Sequence, residues 1–416
     1  MKKINFIVSL MLGLGISSSF DTFAAQYGEE RNLVLLNTKR QALQDLSKKK
    51  SQEFQANRQV ALEKAKKKGW IIRQENEHGL MELQGINKKG KQRYYITHNA
   101  VAATSTSTDK VWPGGSVGLS LDGSGMTVGI WDGGSVRSTH QEFNNTGSTR
   151  VLQHDTSAVH YHATHVAGTL IAGGVDAAAK GMAPNATLYA WDWLSDNSEM
   201  AAAAAGGLLL SNHSYGWARG WYGTSWYGDP TVSDQEDYLF GFYDNIAKFT
   251  DQVATNAPYY LAVISAGNDR GNDGGGVYPP DGGAEGYDCI SHMGIAKNVL
   301  TVGAVRDVTA GYTDPTDVQM LFYSNWGPAD DGRIKPDICG NGDALYSTYH
   351  ISDTAYTSKS GTSMATPNVT ASLLLLQEHY HERYGSYLKA ATLKALALHT
   401  ADEAGPTGPD YMFGWG

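Results

Sequence analysis

From about residue 119 onward the chain falls into short apolar runs with little polar alternation: "GMTVGIWD", "ATLYAWDW", "GLLLSNHSYG", "YYLAVISAGN" and "NVLTVGAV". Runs of this length that stay apolar at successive positions predict strands buried on both faces, as in a parallel sheet covered on both sides. Between them, "YHATHVAGTLIAGG", "EMAAAAAGG" and "DYLFGFYDNIAKFTDQVAT" read as helices, and "ATPNVTASLLLLQEHYHERYG" follows as a longer one. Strands and helices in alternation predict an α/β fold, whose sites form at the carboxyl ends of the strands.

The first quarter of the chain has another texture. Residues 26–68 are polar and rich in Lys, Gln, Ala and Leu, with a helical stretch "SQEFQANRQVALEKAKKKG" closed by Gly69. Three strand-like runs follow, "WIIRQENEH", "LMELQGI" and "QRYYITH", so this is a small α+β unit. "NAVAATSTSTDKVWPGG" comes next and reads as an exposed link. Ahead of all this, residues 1–24 combine two lysines, an apolar run and small residues before Ala25. That is the layout of a cleaved export signal, too short in its apolar part to span a bilayer. The expected organisation is a signal peptide at 1–24, an α+β unit at 25–104 and the main domain at 105–416, with the mature protein secreted and off the membrane.

Charge divides the chain at nearly the same place. Residues 26–110 hold 17 Lys and Arg against 9 Asp and Glu, a net of +8, while residues 111–416 hold 14 against 32, a net of −18. The acidic main domain argues against nucleic-acid binding. Cys289 and Cys339 are the only cysteines, too few for a disulfide scaffold, although export permits one bridge between them.

Four segments hold residues capable of chemistry. Asp132 ends the run "VGIWDGG", where a strand gives way to a glycine turn. His162 and His165 lie three apart in "HATHVAGT", on one side of a helix, with His160 just before. Metal binding is a rival reading for these imidazoles, but the H-E-x-x-H spacing of a zinc protease is absent. Asn268 in "ISAGND" could donate a hydrogen bond to a developing negative charge. Taken singly, Asp132 and Asn268 are equally turn residues. "SGTSMATP", residues 360–367, sets Ser363 near the start of a helix, where backbone amides favour negative charge. Pro367 then belongs in the first turn of that helix, with Ser360 and Thr366 as caps.

Together these segments resemble the subtilisin-like serine proteases, the subtilases, in the chain order Asp, His, Ser. "TVGIWDGG" is similar to the aspartate motif, "HATHVAGT" to the histidine motif, "SAGN" to the oxyanion motif and "SGTSMATP" to the serine motif. The resemblance covers nearly all of residues 112–416. It implies a three-layer α/β/α sandwich around a doubly wound, mostly parallel sheet of about seven strands. It also implies Ser363 as nucleophile, His162 as general base and acid, Asp132 as its partner, and Asn268 with the Ser363 backbone N–H as oxyanion donors. His165 becomes structural. A peptide substrate would lie beside Ser214, Tyr215 and Gly216 on one side and Ser265, Ala266 and Gly267 on the other.

The resemblance further implies a self-processed precursor, in which the basic unit inhibits the enzyme and assists its folding until the link at residues 97–110 is cut. No catalytic cofactor is expected. A structural calcium ion is left open with its ligands unassigned, and the short loop "IAGGVDAAAKG" lacks the insert that supplies one common site. Two departures stand out: Gly133 replaces the usual Ser or Thr after the aspartate, and Ala163 the usual glycine between the histidines. The insert "WARGWYGTSWYGDP" is either a lid or a packed loop. Family chains usually continue past the segment that holds Gly416, so a further helix or domain is expected beyond it. The leading expectation is a secreted endopeptidase. An exopeptidase with its cleft narrowed by the insert, and a silent peptide-binding relative, are the alternatives.

Overall fold

The computed structural model describes residues 32–76, 79–97, 105–144, 147–308 and 311–416; the expected signal segment lies outside them. A short helix α1 (Asn32–Asn37) leads into α2 (Arg40–Lys68), which holds neither Gly nor Pro along its 29 residues. Three lysines crowd its last turn, where cations meet the negative end of the helix, and Gly69 closes it at φ 68. Antiparallel strands β1 (Arg73–Asn76), β2 (Gly79–Ile86) and β3 (Gln92–Thr97) complete the unit.

The main domain is built on seven parallel strands: β4 (Thr127–Asp132), β5 (Val151–Gln153), β6 (Thr187–Asp192), β7 (Leu210–His213), β11 (Leu261–Ser265), β12 (Leu300–Val305) and β13 (Ile338–Asn341). Their order across the sheet is β13-β12-β11-β7-β4-β6-β5. Side chains alternate between two cores. Val128 and Ile130 pack on one face with α3 (Tyr161–Ile171) and α6 (Thr362–Tyr384), while Trp131 packs on the other with α4 (Asp196–Ala205) and α5 (Asn245–Asn256). This three-layer arrangement explains why β4, β7, β11 and β12 are buried at every position. The chain moves outward from β4 on one side to β5 and β6, and then on the other through β7, β11, β12 and β13. The carboxyl ends of β4 and β7 therefore flank the switch point, the crevice where such sheets bind ligands.

Several expectations need correcting. Pro367 is the sixth residue of α6, not part of its first turn, and the helix starts after Gly361 without a side-chain cap; Ser360 is exposed and Thr366 hydrogen-bonds back to the Thr362 carbonyl. Helix α5 covers only Asn245–Asn256 of the longer run read as helical. Cys289 and Cys339 are separate free thiols. Cys289 is buried against the Trp326 backbone, and Cys339 lies by the Phe413 carbonyl. The link is only partly open: Ser105 Oγ donates to Asp307 at 2.7 Å, and Thr108 is buried beside Ser372. The aromatic insert is a packed hairpin extending β8 (Tyr215–Trp217) through β9 (Trp221–Tyr222) and β10 (Ser225–Trp226), with the Trp226 ring stacked on Tyr278.

Candidate active site

Asp132 is the last residue of β4 and is fully buried. His162 is the second residue of α3, and its Nδ1 stands 2.6 Å from Asp132 Oδ1, which also accepts the Gly133 N–H at 2.7 Å. The other oxygen, Oδ2, is buried with no hydrogen-bond partner among the described residues. A hydroxyl after Asp132 could fill that place. In this structure a Cβ at Gly133 would lie 2.7 Å from the end of the Leu80 side chain and 3.0 Å from the Trp193 ring, so a larger residue there would require both to shift.

The neighbouring histidines do other work. His160 caps α3, its Nδ1 accepting the His162 N–H, and burial, aided by His162 close by, pushes its pKa down to about 2. His165 donates from Nε2 to the Leu345 carbonyl at 2.9 Å, and burial first of all lowers it to about 3. Both are neutral packing groups at physiological pH. Ala163, between the histidines, is fully buried in the core.

Ser363 is the second residue of α6, so its hydroxyl stands at the positive end of the helix dipole. The hydroxyl donates to the Ser214 carbonyl at 2.7 Å, and Ser214 Oγ donates back to the Ser363 carbonyl at 2.8 Å. This exchange explains how Pro367 is tolerated. A proline has no N–H to offer the carbonyl four residues earlier, which is that of Ser363, and Ser214 supplies the missing donor. Asn268 follows β11, with its Oδ1 held by the Thr362 N–H and hydroxyl, both at 2.9 Å. Both contacts are to the amide oxygen, so they fix the side chain and leave its NH₂ as the donor end.

Ser214, Tyr215 and Gly216 form the start of an edge strand, and β3 is paired on it. Tyr95 stands opposite Trp217, Ile96 opposite Gly216 and Thr97 opposite Tyr215, in antiparallel register. Ser265, Ala266 and Gly267 end β11 on the other side. Gly267 has φ 106, and a Cβ there would lie 2.3 Å from Asn325 Nδ2. Asn325 ties this wall together, accepting from Asp269 N–H and Arg270 N–H and donating to Asp269 Oδ2 and the Cys289 carbonyl.

Sequence reasoning did not single out Thr362, Asn325 or Asp196. Thr362 lay inside the quoted serine motif and Asn325 inside "FYSNWGP", but no local pattern marks Asp196 at the head of an alanine-rich helix. The loop after α3 does not fit a cation. The N–H groups of Gly174, Val175 and Asp176 all point at the Glu142 carboxylate, presenting donors where a cation needs oxygens.

Comparison with known proteins agrees with this architecture. Residues 123–416 match the model of the Subtilase family. Pyrolysin of Pyrococcus furiosus is 28% identical over 260 residues, covering 52% of this chain and 17% of that protein. The alkaline protease of Alkalihalobacillus alcalophilus is 27% identical, covering 62% of this chain and 55% of its own length, so the chain spans about half or less of these relatives. The structure of the Clostridium perfringens CspB protease aligns with a TM-score of 0.55 at 16% identity, over 76% of this chain and 97% of that one. With the family model matching well over half of its length, the chain belongs to the subtilase family.

Proposed function

We propose that the protein is a secreted serine endopeptidase, made as a precursor whose segment 25–104 is removed by its own active site. Ser363 Oγ, turned from the Ser214 carbonyl to which it donates in this structure, attacks the peptide carbonyl carbon while His162 takes its proton. His162 gives that proton to the departing amine, and water, activated by the same imidazole, then releases the acyl group from Ser363. Asp132 holds the imidazole tautomer and offsets its charge. Asn268 Nδ2 and the Ser363 N–H receive the oxyanion. Export is supported by the layout of residues 1–24 and by the fact that no helix among the described residues is long and apolar enough to cross a membrane. An acidic main domain favours peptides over nucleic acids as partners.

The observation that carries the proposal is the pairing of β3 on β8. An extended segment of the chain itself occupies the edge at which a peptide substrate would add a strand, and runs toward Ser214 and the Ser363 hydroxyl. β3 ends at Thr97, so the bond to be cut lies beyond it. That bond lies outside the described residues, and the packed start at Ser105 limits the link to be cut to residues 98–104.

Three measurements test this. N-terminal sequencing of the secreted wild type gives a new N-terminus between residues 98 and 105, while Ser363→Ala alone persists as the precursor. Digestion of a long unstructured protein gives internal fragments, and a serine-directed phosphonylating reagent labels Ser363. Equal processing of Ser363→Ala, or terminal pieces alone from the digest, overturns the reading.

A further inference from the structure

The side chain of Tyr95 leaves β3 and enters the main domain, where it is 2% exposed. Its ring lies 4.4 Å from Trp217, 5.0 Å from Tyr215, 5.4 Å from His292 and 5.6 Å from Trp193, centroid to centroid. At the end of this aromatic box its hydroxyl donates to Asp196 Oδ2 at 2.9 Å. Tyr215 OH donates to the same oxygen at 2.9 Å, and Asp196 Oδ1 accepts from the Asn197 backbone and side chain at 2.6 Å each.

We propose that Asp196, by accepting its hydroxyl, makes this box select tyrosine over phenylalanine at the substrate position that Tyr95 holds, two residues before Thr97. The proposal rests on the endopeptidase reading and adds what the cleft prefers.

Three features argue for a phenol. Asp196 is the first residue of α4 and almost wholly buried, so it stands at a depth that only a long ring can reach. A phenylalanine would fill the box but leave Oδ2 with Tyr215 as its one remaining donor, in a place water does not replace. Sites built to bond a hydroxyl discriminate strongly against analogues without one. A cationic side chain is opposed by Arg219, whose guanidinium already stands 6.0 Å from the Trp217 ring. Burial, before the like charges of Arg219 and Arg93, keeps His292 neutral, so it faces the hydroxyl as an uncharged imidazole with Nε2 at 3.5 Å.

The test uses the full chain, expressed and allowed to mature, with peptides spanning residues 91–104, KQRYYITHNAVAAT, varied only at the position of Tyr95. Tyrosine should exceed phenylalanine by about 10- to 100-fold in kcat/KM, the span for one hydrogen bond to a charged group. Asp196→Asn should compress that ratio several-fold. Equal rates for Tyr and Phe, or a preference for Arg, would falsify the pocket while leaving the endopeptidase reading intact. A second readout needs no chemistry. In the full Ser363→Ala chain, Tyr95→Phe should speed amide exchange of residues 92–97 by a similar factor, and unchanged exchange there also overturns the proposal. Absence of cleavage and of Ser363 labelling in the wild type would instead sink the endopeptidase reading, with the exchange comparison still deciding the pocket.

Discussion

Along Ser214–Gly216 the cleft offers a strand edge, paired here to β3 and continued by a box of large aromatic rings. Along Ser265–Gly267 the wall is closed instead. Asn325 spends both ends of its amide on Asp269, Arg270 and Cys289, and Thr362 fixes Gly267 N–H and the Asn268 amide. One wall can exchange partners because its backbone groups are satisfied by whatever strand lies there. The other cannot move without leaving buried polar groups unpaired, which costs about 1–3 kcal/mol for each. In the proposed enzyme the first wall governs what binds, and the second holds still the groups that meet the transition state.

The largest effect that could break this division is on the closed wall. Asn268→Ala removes a donor that matters only when the oxyanion forms, so kcat should fall by about 10²–10³ while KM moves little. Steady-state kinetics on one peptide decide it. A rise in KM with kcat preserved would show that Asn268 binds ground-state substrate like the opposite wall.

Next comes Trp217→Ala on the open wall. Its ring touches Tyr95, carries Arg93 at 5.0 Å and is itself buried. Losing an aromatic contact of about 0.5–1.5 kcal/mol, with further apolar area, should lower kcat/KM about tenfold for tyrosine-bearing peptides, chiefly through KM. Peptides with alanine at that position should be less affected. A uniform fall in kcat for all peptides would mean that the two walls are not separable.

The sequence made the two walls legible to different degrees. Both stretches could be named because the resemblance to the subtilases marks them, and the fold then sets them just past β7 and at the end of β11. The central sheet was visible because strands covered on both sides cannot alternate. What holds each wall was not legible. Asn325 lies 57 positions beyond Asn268 and meets this wall only through folding. Asp196 looks like any acid in a first helical turn, and Tyr95 like any strand tyrosine, until β3 crosses to β8. The misplacement of Pro367 has the same origin. A proline in a second turn is unfavourable by local rules, and the donor that relieves it, Ser214, lies 149 residues before Ser363, whose carbonyl it serves.

The last predicted effect, on stability and not on rate, concerns the ground on which the closed wall rests. Asp281 lies behind it, 4% exposed, with Oδ2 accepting the Trp221 N–H at 2.8 Å. Burial first, and then the charge of Asp269, raise its pKa from the ordinary 3.8 to about 9. A carboxyl raised in the fold binds its proton more tightly there than in the unfolded chain. Its contribution to stability is therefore complete below the unfolded value and is lost as pH rises toward 9. Asp281→Asn does not titrate and keeps an oxygen for Trp221. Its stability relative to the parent should thus increase as pH rises from 5 to 8, by about 1 kcal/mol per pH unit. Urea midpoints of both chains, each carrying Ser363→Ala to prevent self-digestion, measure the difference. A gap that stays constant across that interval would mean that Asp281 is already ionised at pH 5, and that the closed wall rests on a charge and not on a protonated acid.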